Sequence, residues 1–578
     1  MTLRARSLRQ ARAENPLKVF ILGLDGATAG VLDPLMAEGK MPNLKALCTA
    51  GVRGSLLSTV PPTSPVAWST FVTGKNPGKH GVYDFLEFAH NPLGGRVNSS
   101  RSIQGETIWE IATRAGKRVV VGGVPLTYPP RRDAGLLFGD FLTPPGVSDL
   151  CSDPLLLAEL ERSLGAYEPL CTAAYHRGNE LEVLGRLRAF LDYHLAAIRF
   201  LIDRREWDLF CYNLMAVDRL HHELWHVFDE SHPFRKGRDL REARAGLEAF
   251  FRAIDTAIGE LRHRIGKDAA FFILSDHGNG SLTHYLNLNL WLLDEGYIRL
   301  RRGPGPLLKS WLFRRGKNPA WAYRRLARLG FADLVVGRLR GGQLGKLDRL
   351  ADFLFLSRRD IDWSRTRAYA QGNYGQIFLN IAGRQPNGIV APGADAEALA
   401  SELTRKLFEL RSPETGEALI GAAQRGKDIY HGPQSALAPD LRVELRDPRH
   451  HTIGLFDFST HAVLSRAFSM SGDHRPEGVL YAAGKSILAG STPRNARLCD
   501  IAPTILHFLG LPIPADMDGR LLAEVLDPAY HGEPVVARSA NEGDGTGAAG
   551  GPPRSLTPGM TAEEEAAVRQ RLESLGYL

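Results

Sequence analysis

The sequence predicts an α/β fold with a mostly parallel central sheet and helices on both of its faces. Three observations carry this expectation. Short, wholly apolar runs recur, each followed by a polar turn; helical patterns lie between them; and several runs lead directly into acidic residues. A strand covered on both faces reads as a continuous apolar run rather than an alternating one, as in parallel sheets.

In chain order, a basic stretch at 1–17 is expected to be a flexible tail. Val19–Leu24 reads as the first buried strand, and Val119–Val121, Leu209–Leu214, Phe271–Leu274 and Val479–Ala482 as its neighbours. Leu184, Leu187, Leu191, Leu195 and Ile198 recur at three- and four-residue spacing and mark one face of a helix. In open α/β sheets, sites form outside the carboxyl ends of the strands. The run ending at Leu24 meets Asp25, the one near 210 leads to Asp218, and the one near 272 runs into Asp276 and His277. These are candidates for one convergent cluster.

From 297 to 346 the chain turns rich in Arg and Lys, with Leu307, Leu308, Trp311 and Leu312 and then Tyr323, Leu326 and Leu329 at helical spacing. This predicts a basic helical insertion or lid. Residues 536–560 are Gly/Ser/Pro-rich and read as a linker. Thr561 with Glu564 forms a capping-box pattern that opens a C-terminal helix over 561–578, with Val568, Leu572 and Leu575 on one face and Gly576 as its stop. No internal repeat is present in the sequence.

Composition constrains the function class only weakly. The formal net charge of +7 suits an enzyme of anionic substrates and many other proteins besides. Five scattered cysteines, with no CxxC pair, argue against a disulfide framework and against a cysteine zinc site. The basic amino terminus has no apolar stretch behind it that would make a signal peptide or a membrane span, so the cytoplasm is the expected compartment. No nucleic-acid-binding motif is present, and the oligomeric state is not legible.

Gly23-Leu-Asp-Gly26, Met41-Pro-Asn-Leu44, the stretch from Pro61 through Thr63-Ser64-Pro65 to Thr73-Gly74, and Asn76-Pro-Gly-Lys-His-Gly81 form an ordered series. Asp218-Arg-Leu-His-His222, Ser275-Asp-His-Gly278, Gly472-Asp-His474, and Asp500-Ile-Ala-Pro-Thr504 with Gly510-Leu-Pro512 continue it. Over roughly residues 18 to 525 this series resembles the type I phosphodiesterase/nucleotide pyrophosphatase family of the alkaline phosphatase superfamily. The resemblance implies an alkaline-phosphatase-like three-layer catalytic domain over 18–535, which overrides the four domains that length alone suggests.

It also implies a two-metal phosphohydrolase acting on an anionic phosphate ester, most simply a diester. Asp218, His222 and His474 would hold one divalent ion; Asp25, Asp276 and His277, with the nucleophile's oxygen, would hold the other. Zinc is the family's usual ion, and manganese or iron suit the same ligands. Asp218 and His222 are four apart, so one helical turn presents both on one face. Counting back ten residues from Gly74 selects Ser64 as nucleophile, whereas the T-x-P pattern selects Thr63; Ser64 is the assignment adopted, giving a phosphoseryl intermediate.

One departure stands out. The position five residues after His80, an asparagine in nucleotide pyrophosphatases, is Phe85 here. The oxyanion donor would then come from Arg475, the expected substrate-binding residue, or from Lys79. Each residue alone has a plainer reading. Asp25 would cap a helix, Asp218 and His222 would be a solvated pair, His474 a surface histidine, His221 and His226 substitutes for His222 or surface residues, and His80 the brace of a turn. The rival activities are a phosphomonoesterase, a phosphonate hydrolase and a phosphomutase-like transferase. A metal-binding scaffold without turnover is the reading outside the enzyme class. A sulfatase is disfavoured because the C-x-P-x-R stretch is missing.

Overall fold

The computed structural model describes residues 17–87, 95–318, 353–454 and 470–529, together with 533–537, 559–575, residues 321, 325, 456 and 458, and 460–467. Residues 1–16 of the basic tail, most of 319–346 in the expected insertion, most of the linker and Gly576 lie outside the described residues. The chain packs as two compact units, one formed by residues 1–84, 98–281 and 469–564 and the other by 85–97, 282–468 and 565–578.

The first unit is built on a seven-stranded sheet. Its strands are β1 (Val19–Leu24), β2 (Val52–Leu57), β3 (Val119–Gly122), β4 (Leu136–Leu137), β5 (Leu209–Leu214), β6 (Ala270–Leu274) and, after a short pair β7 (Gly278–Ser281) and β8 (Gly472–Arg475), β9 (Glu477–Ala483). The order is β2-β9-β6-β1-β5-β3-β4. β1 pairs in parallel with β5 (Val19 opposite Leu209) and with β6 (Val19 opposite Ala270), whereas β9 runs antiparallel to both β6 and β2. Every residue of β1, β5 and β6 is buried, as their almost wholly apolar runs require.

Helices cover both faces. On one side Phe20, Phe210, Phe271 and Tyr481 of the strands share a core with α1 (Ala29–Ala37), α2 (Pro42–Ala50), α4 (Glu180–Arg204), α5 (Ala216–Phe228) and α6 (Arg241–Ile265). On the other side α3 (Ser64–Thr73) has all ten residues buried, and α7 (Ile501–Phe508) sets Phe508 edge-on to Phe272 at 5.4 Å. The fold is therefore a three-layer α/β/α arrangement around a mostly parallel sheet. The Val479–Ala482 run is the one antiparallel strand. Its amino end lies on the same rim as the carboxyl ends of its parallel neighbours, so His474, just before β9, is delivered to the rim that holds Asp25 and Asp276.

The second unit has its own core and a four-stranded antiparallel sheet of Ala368–Gln371, Gln376–Leu379, Leu441–Leu445 and Ile420–Arg425 in that spatial order. The helix Ala394–Glu409 buries Leu399, Leu403 and Leu407. In the described part of the 297–346 stretch, Pro304–Arg314 is a helix. The helix Ala562–Leu575 opens on reciprocal bonds between Thr561 and Glu564 and buries Val568, Leu572 and Leu575. Arg569 of that helix donates to the carbonyl of Gly95 at 2.9 Å. Among the described residues, no helix is long and apolar enough to cross a membrane.

Candidate functional site

Each proposed ligand sits on the rim for a local reason. Asp25 ends β1 and is followed by Gly26 at φ 64°, where an added Cβ would meet Asn279 Nδ2 at 2.4 Å and Asp218 Oδ1 at 2.8 Å. Only glycine lets the chain turn away through that crowd. Asp218 lies in the first turn of α5 with His222 one turn on. Asp276 and His277 leave β6 in the irregular turn before β7. Ser64 is the first residue of α3, after the N-cap Thr63, where the helix dipole and unpaired backbone N–H groups favour a negative charge.

The side chains converge and are buried. Among the described residues, two groups place one donor atom per residue all within 4.8 Å of one another: Asp218, His222 and His474, and Asp25, Asp218 and His277. Asp218 thus belongs to both. Ser64 Oγ lies 3.2 Å from His277 Nε2 and 3.4 Å from Asp25 Oδ1. His277 Nε2 is 3.3 Å from Asp276 Oδ2. Thr63 is buried but its Oγ1 makes no hydrogen bond, and it is Ser64 that faces the cluster.

The donor set suits a cation. His222 Nδ1 and His474 Nδ1 each lie 2.9 Å from a backbone carbonyl, of Gly472 and Pro62 respectively. A carbonyl only accepts, so both Nδ1 atoms carry a hydrogen, and in the neutral rings both Nε2 atoms present lone pairs. Those lone pairs face each other at 2.9 Å, with Asp218 Oδ1 3.3 Å and 3.5 Å away. His277 is fixed in the same way, its Nδ1 3.0 Å from the Gly278 carbonyl, and Asp276 Oδ2 beside its Nε2 is a buried atom with no hydrogen-bond partner. Facing lone pairs are repulsive unless a positive charge joins them, either a proton on His222, which burial opposes but the Asp218 charge favours, or a metal ion. A carbonyl behind each ligating imidazole is also how metal-binding histidines are oriented. The residues present therefore fit divalent metal ions.

The electrostatics agree. Burial, with the charges of Asp276 and Asp218 nearby, pushes the Asp25 carboxyl well above its ordinary range. Burial also raises Asp276, against the opposing pull of His277. Asp218 goes the other way: burial works against its charge, but His222 and His474 outweigh it and hold it well below the usual carboxylate range. Burial and the neighbouring His277 depress His474 to about 4. Asp25 and Asp276, buried beside the charged Asp218, are held against their own ionisation, which a bound cation relieves.

The supporting residues were not legible as such in the sequence. Asn213 Nδ2 and Trp68 Nε1 donate to Asp25 Oδ2 at 2.7 and 3.1 Å, leaving Oδ1 for Ser64 and His277. Asn279 Nδ2 donates to Asp218 Oδ1 at 3.0 Å. The one available signal was a polar Asn213 in an otherwise apolar strand. Ser471 fastens β8 to α5. Its N–H donates to the His222 carbonyl at 2.9 Å, and its Oγ accepts the His226 N–H at 3.2 Å and donates to the Glu223 carbonyl at 3.1 Å. The insertion coincides with the kink of α5 at Leu224, φ −126° and ψ 21°.

Several expectations for flanking residues are corrected. His221 and His226 are fully buried rather than on the surface: His221 Nδ1 donates to the Gly26 carbonyl, and His226 bonds Ser471 and Glu180. Arg219 is buried too, in an ion pair with Glu223. His80 braces its turn, accepting from Val82 N and donating to Thr70 Oγ1, and burial depresses it to about 3. The two suggested oxyanion donors are otherwise engaged. Arg475 donates to the carbonyls of Asp473, His474 and Ser281, which supports an anchoring role between β8 and β7; Lys79 pairs with Asp518 at 2.5 Å. Phe85 is buried in the second unit.

Comparison with known proteins gives the family. No curated protein matches the sequence. Among solved structures the chain is similar to phosphonoacetate hydrolase from Sinorhizobium meliloti 1021, with 12% identity, a TM-score of 0.51, and 86% of this chain and 96% of that chain covered. It is also similar to human ectonucleotide pyrophosphatase/phosphodiesterase 5, at 12% identity and a TM-score of 0.44 over 86% and 95% of the two chains. The family model for type I phosphodiesterase/nucleotide pyrophosphatase matches residues 19–328, more than half of the 578 residues. The chain belongs to the type I phosphodiesterase/nucleotide pyrophosphatase family, and is a hydrolase of alkaline-phosphatase-like fold.

Proposed function

We propose that the protein hydrolyses a phosphodiester through Ser64, with two divalent cations, zinc in the first instance. Asp218, His222 and His474 would hold one ion, and Asp25, Asp276, His277 and Ser64 Oγ the other. The observation that carries the reading is the facing pair of imidazole lone pairs beside Asp218, with Ser64 Oγ within 3.4 Å of Asp25 and His277. When bound, the ions supply the positive charge that lowers the pKa of the attacking hydroxyl and balances the phosphate oxygens.

The chain's own residues do the rest. Ser64 gives its hydroxyl proton to solvent and its Oγ attacks phosphorus; the bond to the leaving alkoxide breaks, and that alkoxide takes a proton from solvent. Ser64 then carries the phosphoryl group with its second ester still attached. A water molecule attacks the same phosphorus, the Oγ–P bond breaks, and a proton returns to Ser64. Two displacements give net retention at phosphorus. The amino end of α3, where Ser64 sits, adds the partial positive charge of the helix dipole near the developing anion.

A second reading is a phosphonate hydrolase. Phe85 in place of the asparagine that resemblance implies for nucleotide diesters favours it, as does the fold shared with phosphonoacetate hydrolase. Rates on a bis-aryl phosphate diester, an aryl phosphate monoester and phosphonoacetate, measured with elemental analysis before and after chelation, separate these. About two equivalents of metal per chain and chelator-sensitive diester cleavage support the proposal. Preference for phosphonoacetate selects the second reading, and bound metal with no turnover on any of the three selects a scaffold.

A further inference from the structure

A surface helix in a globular protein normally turns its apolar stripe inward. The helix Pro304–Arg314 does the reverse. Its exposed side carries Leu307, Leu308 and Trp311, which are 67%, 57% and 49% exposed, while only Phe313 is buried. Leu307, Leu308 and Trp311, spaced one and three apart, lie on one face with Pro304 before them and Arg315 one turn after. On the opposite side Lys309 reaches Asp360 at 3.1 Å and fastens the helix to its own unit. The outward orientation is therefore built in by a buried anchor and an ion pair.

The sequence flanking this stripe carries charge of one sign, although Lys309 pairs with Asp360 and Arg314 with Asp294. Residues 299–318 hold seven Lys and Arg and no Asp or Glu, against a formal net charge of +7 for all 578 residues. Arg302 and Arg315 are exposed, and the Arg315 guanidinium lies 3.8 Å from the centre of the Trp311 ring. Leucines for an apolar phase, an indole for the boundary and guanidiniums at the level of the headgroups match the two layers of an anionic bilayer surface. A nucleic-acid duplex offers cationic side chains a partner but gives the two leucines nothing to enter.

We propose that the helix Pro304–Arg314 is a docking element for anionic lipid membranes, seating Leu307, Leu308 and Trp311 in the acyl boundary while the flanking Arg and Lys meet lipid phosphates. The attachment is peripheral and reversible, and it does not depend on the hydrolytic reading.

The test is co-flotation of the full chain with phosphatidylcholine–phosphatidylglycerol vesicles and with pure phosphatidylcholine vesicles, at low and high salt. Two variants accompany it: Leu307→Ser/Leu308→Ser/Trp311→Ser, and Arg302→Glu/Arg315→Glu. All five positions are exposed, and unchanged thermal midpoints confirm that the variants fold. The proposal expects binding to the anionic vesicles only, weakened by salt, and reduced about tenfold or more in each variant. Failure to bind anionic vesicles, equal binding to neutral ones, or undiminished binding by the triple-serine variant overturns it. So does a wild-type dimer that the triple-serine variant dissolves, or affinity for duplex DNA that the charge variant abolishes without any vesicle binding.

Discussion

His222 and His474 face each other Nε2 to Nε2 across 2.9 Å, each ring held from behind by a backbone carbonyl. Neither ring can rotate away without abandoning its carbonyl, so the pair is preorganised around a positive charge. Ligand binding stabilises the folded state by mass action. Chelation is expected to lower the thermal midpoint, and saturating zinc to restore it, by an amount equivalent to a few kcal/mol. A His474→Ala variant should show a much smaller shift with zinc in the same differential scanning experiment.

Asn213 and Trp68 hold one oxygen of Asp25 so that the other faces Ser64. Residues that hydrogen-bond a metal ligand from behind typically govern metal affinity by about 10- to 100-fold. Asn213→Ala should therefore weaken metal binding by about that factor in a chelator-competition titration. Trp68→Phe, which loses the N–H but keeps most of the ring, should do so to a smaller extent. Unchanged affinity in both would mean that Asp25 is oriented by its backbone alone.

Ser471 replaces a broken stretch of the α5 ladder with its own hydroxyl. Ser471→Ala leaves the His226 N–H and the Glu223 carbonyl without that buried partner. The expected cost is about 1–3 kcal/mol of stability, read as a shift in denaturant midpoint. Because the same loop carries His474, zinc affinity should fall along with it.

Two buried histidines far from the ligand set make an acid-stability prediction. Burial holds His194 at about 4 and His80 at about 3, below the ordinary value of 6.5. A histidine whose folded pKa is depressed stabilises the fold fully above the unfolded pKa, and this contribution is lost as pH falls through the folded one. The protein should therefore lose stability between about pH 6.5 and 4. His194 accepts from the Tyr212 hydroxyl at 2.7 Å and donates to the Glu168 carbonyl at 3.0 Å, both of which glutamine can do. His194→Gln should remove roughly 3 kcal/mol of this pH dependence in denaturation curves taken across that range.

Much of the site was legible in the sequence because its residues sit beside strand ends. Asp25, Asp276 and His277 follow apolar runs, and Asp218 and His222 fall at helical spacing just after another. Strand direction was not legible, since an apolar run such as Val479–Ala482 carries no sign of which way it points. β2 is not legible as a strand because Arg53, Gly54 and Ser55 interrupt its apolar pattern, as befits an edge strand that is half exposed. Asn213 could be assigned a role only through register: it pairs opposite Gly23, and that glycine's missing Cβ leaves room for its side chain. The stripe of Leu307, Leu308 and Trp311 predicts a helix in the basic insertion or lid, but periodicity shows only that a stripe exists and not which way it faces.

The central claim is that Ser64 delivers the attack at a metal-dependent centre. Its most direct test is turnover of a bis-aryl phosphate diester by the wild type, Ser64→Ala and Thr63→Val, each stripped of metal and then titrated with zinc. The account expects wild-type activity to vanish on stripping and return with zinc, and Thr63→Val to retain most of it. Ser64→Ala should bind zinc yet stay on the order of a thousandfold or more below wild type. A zinc-loaded Ser64→Ala enzyme that turns over at the wild-type rate would contradict it.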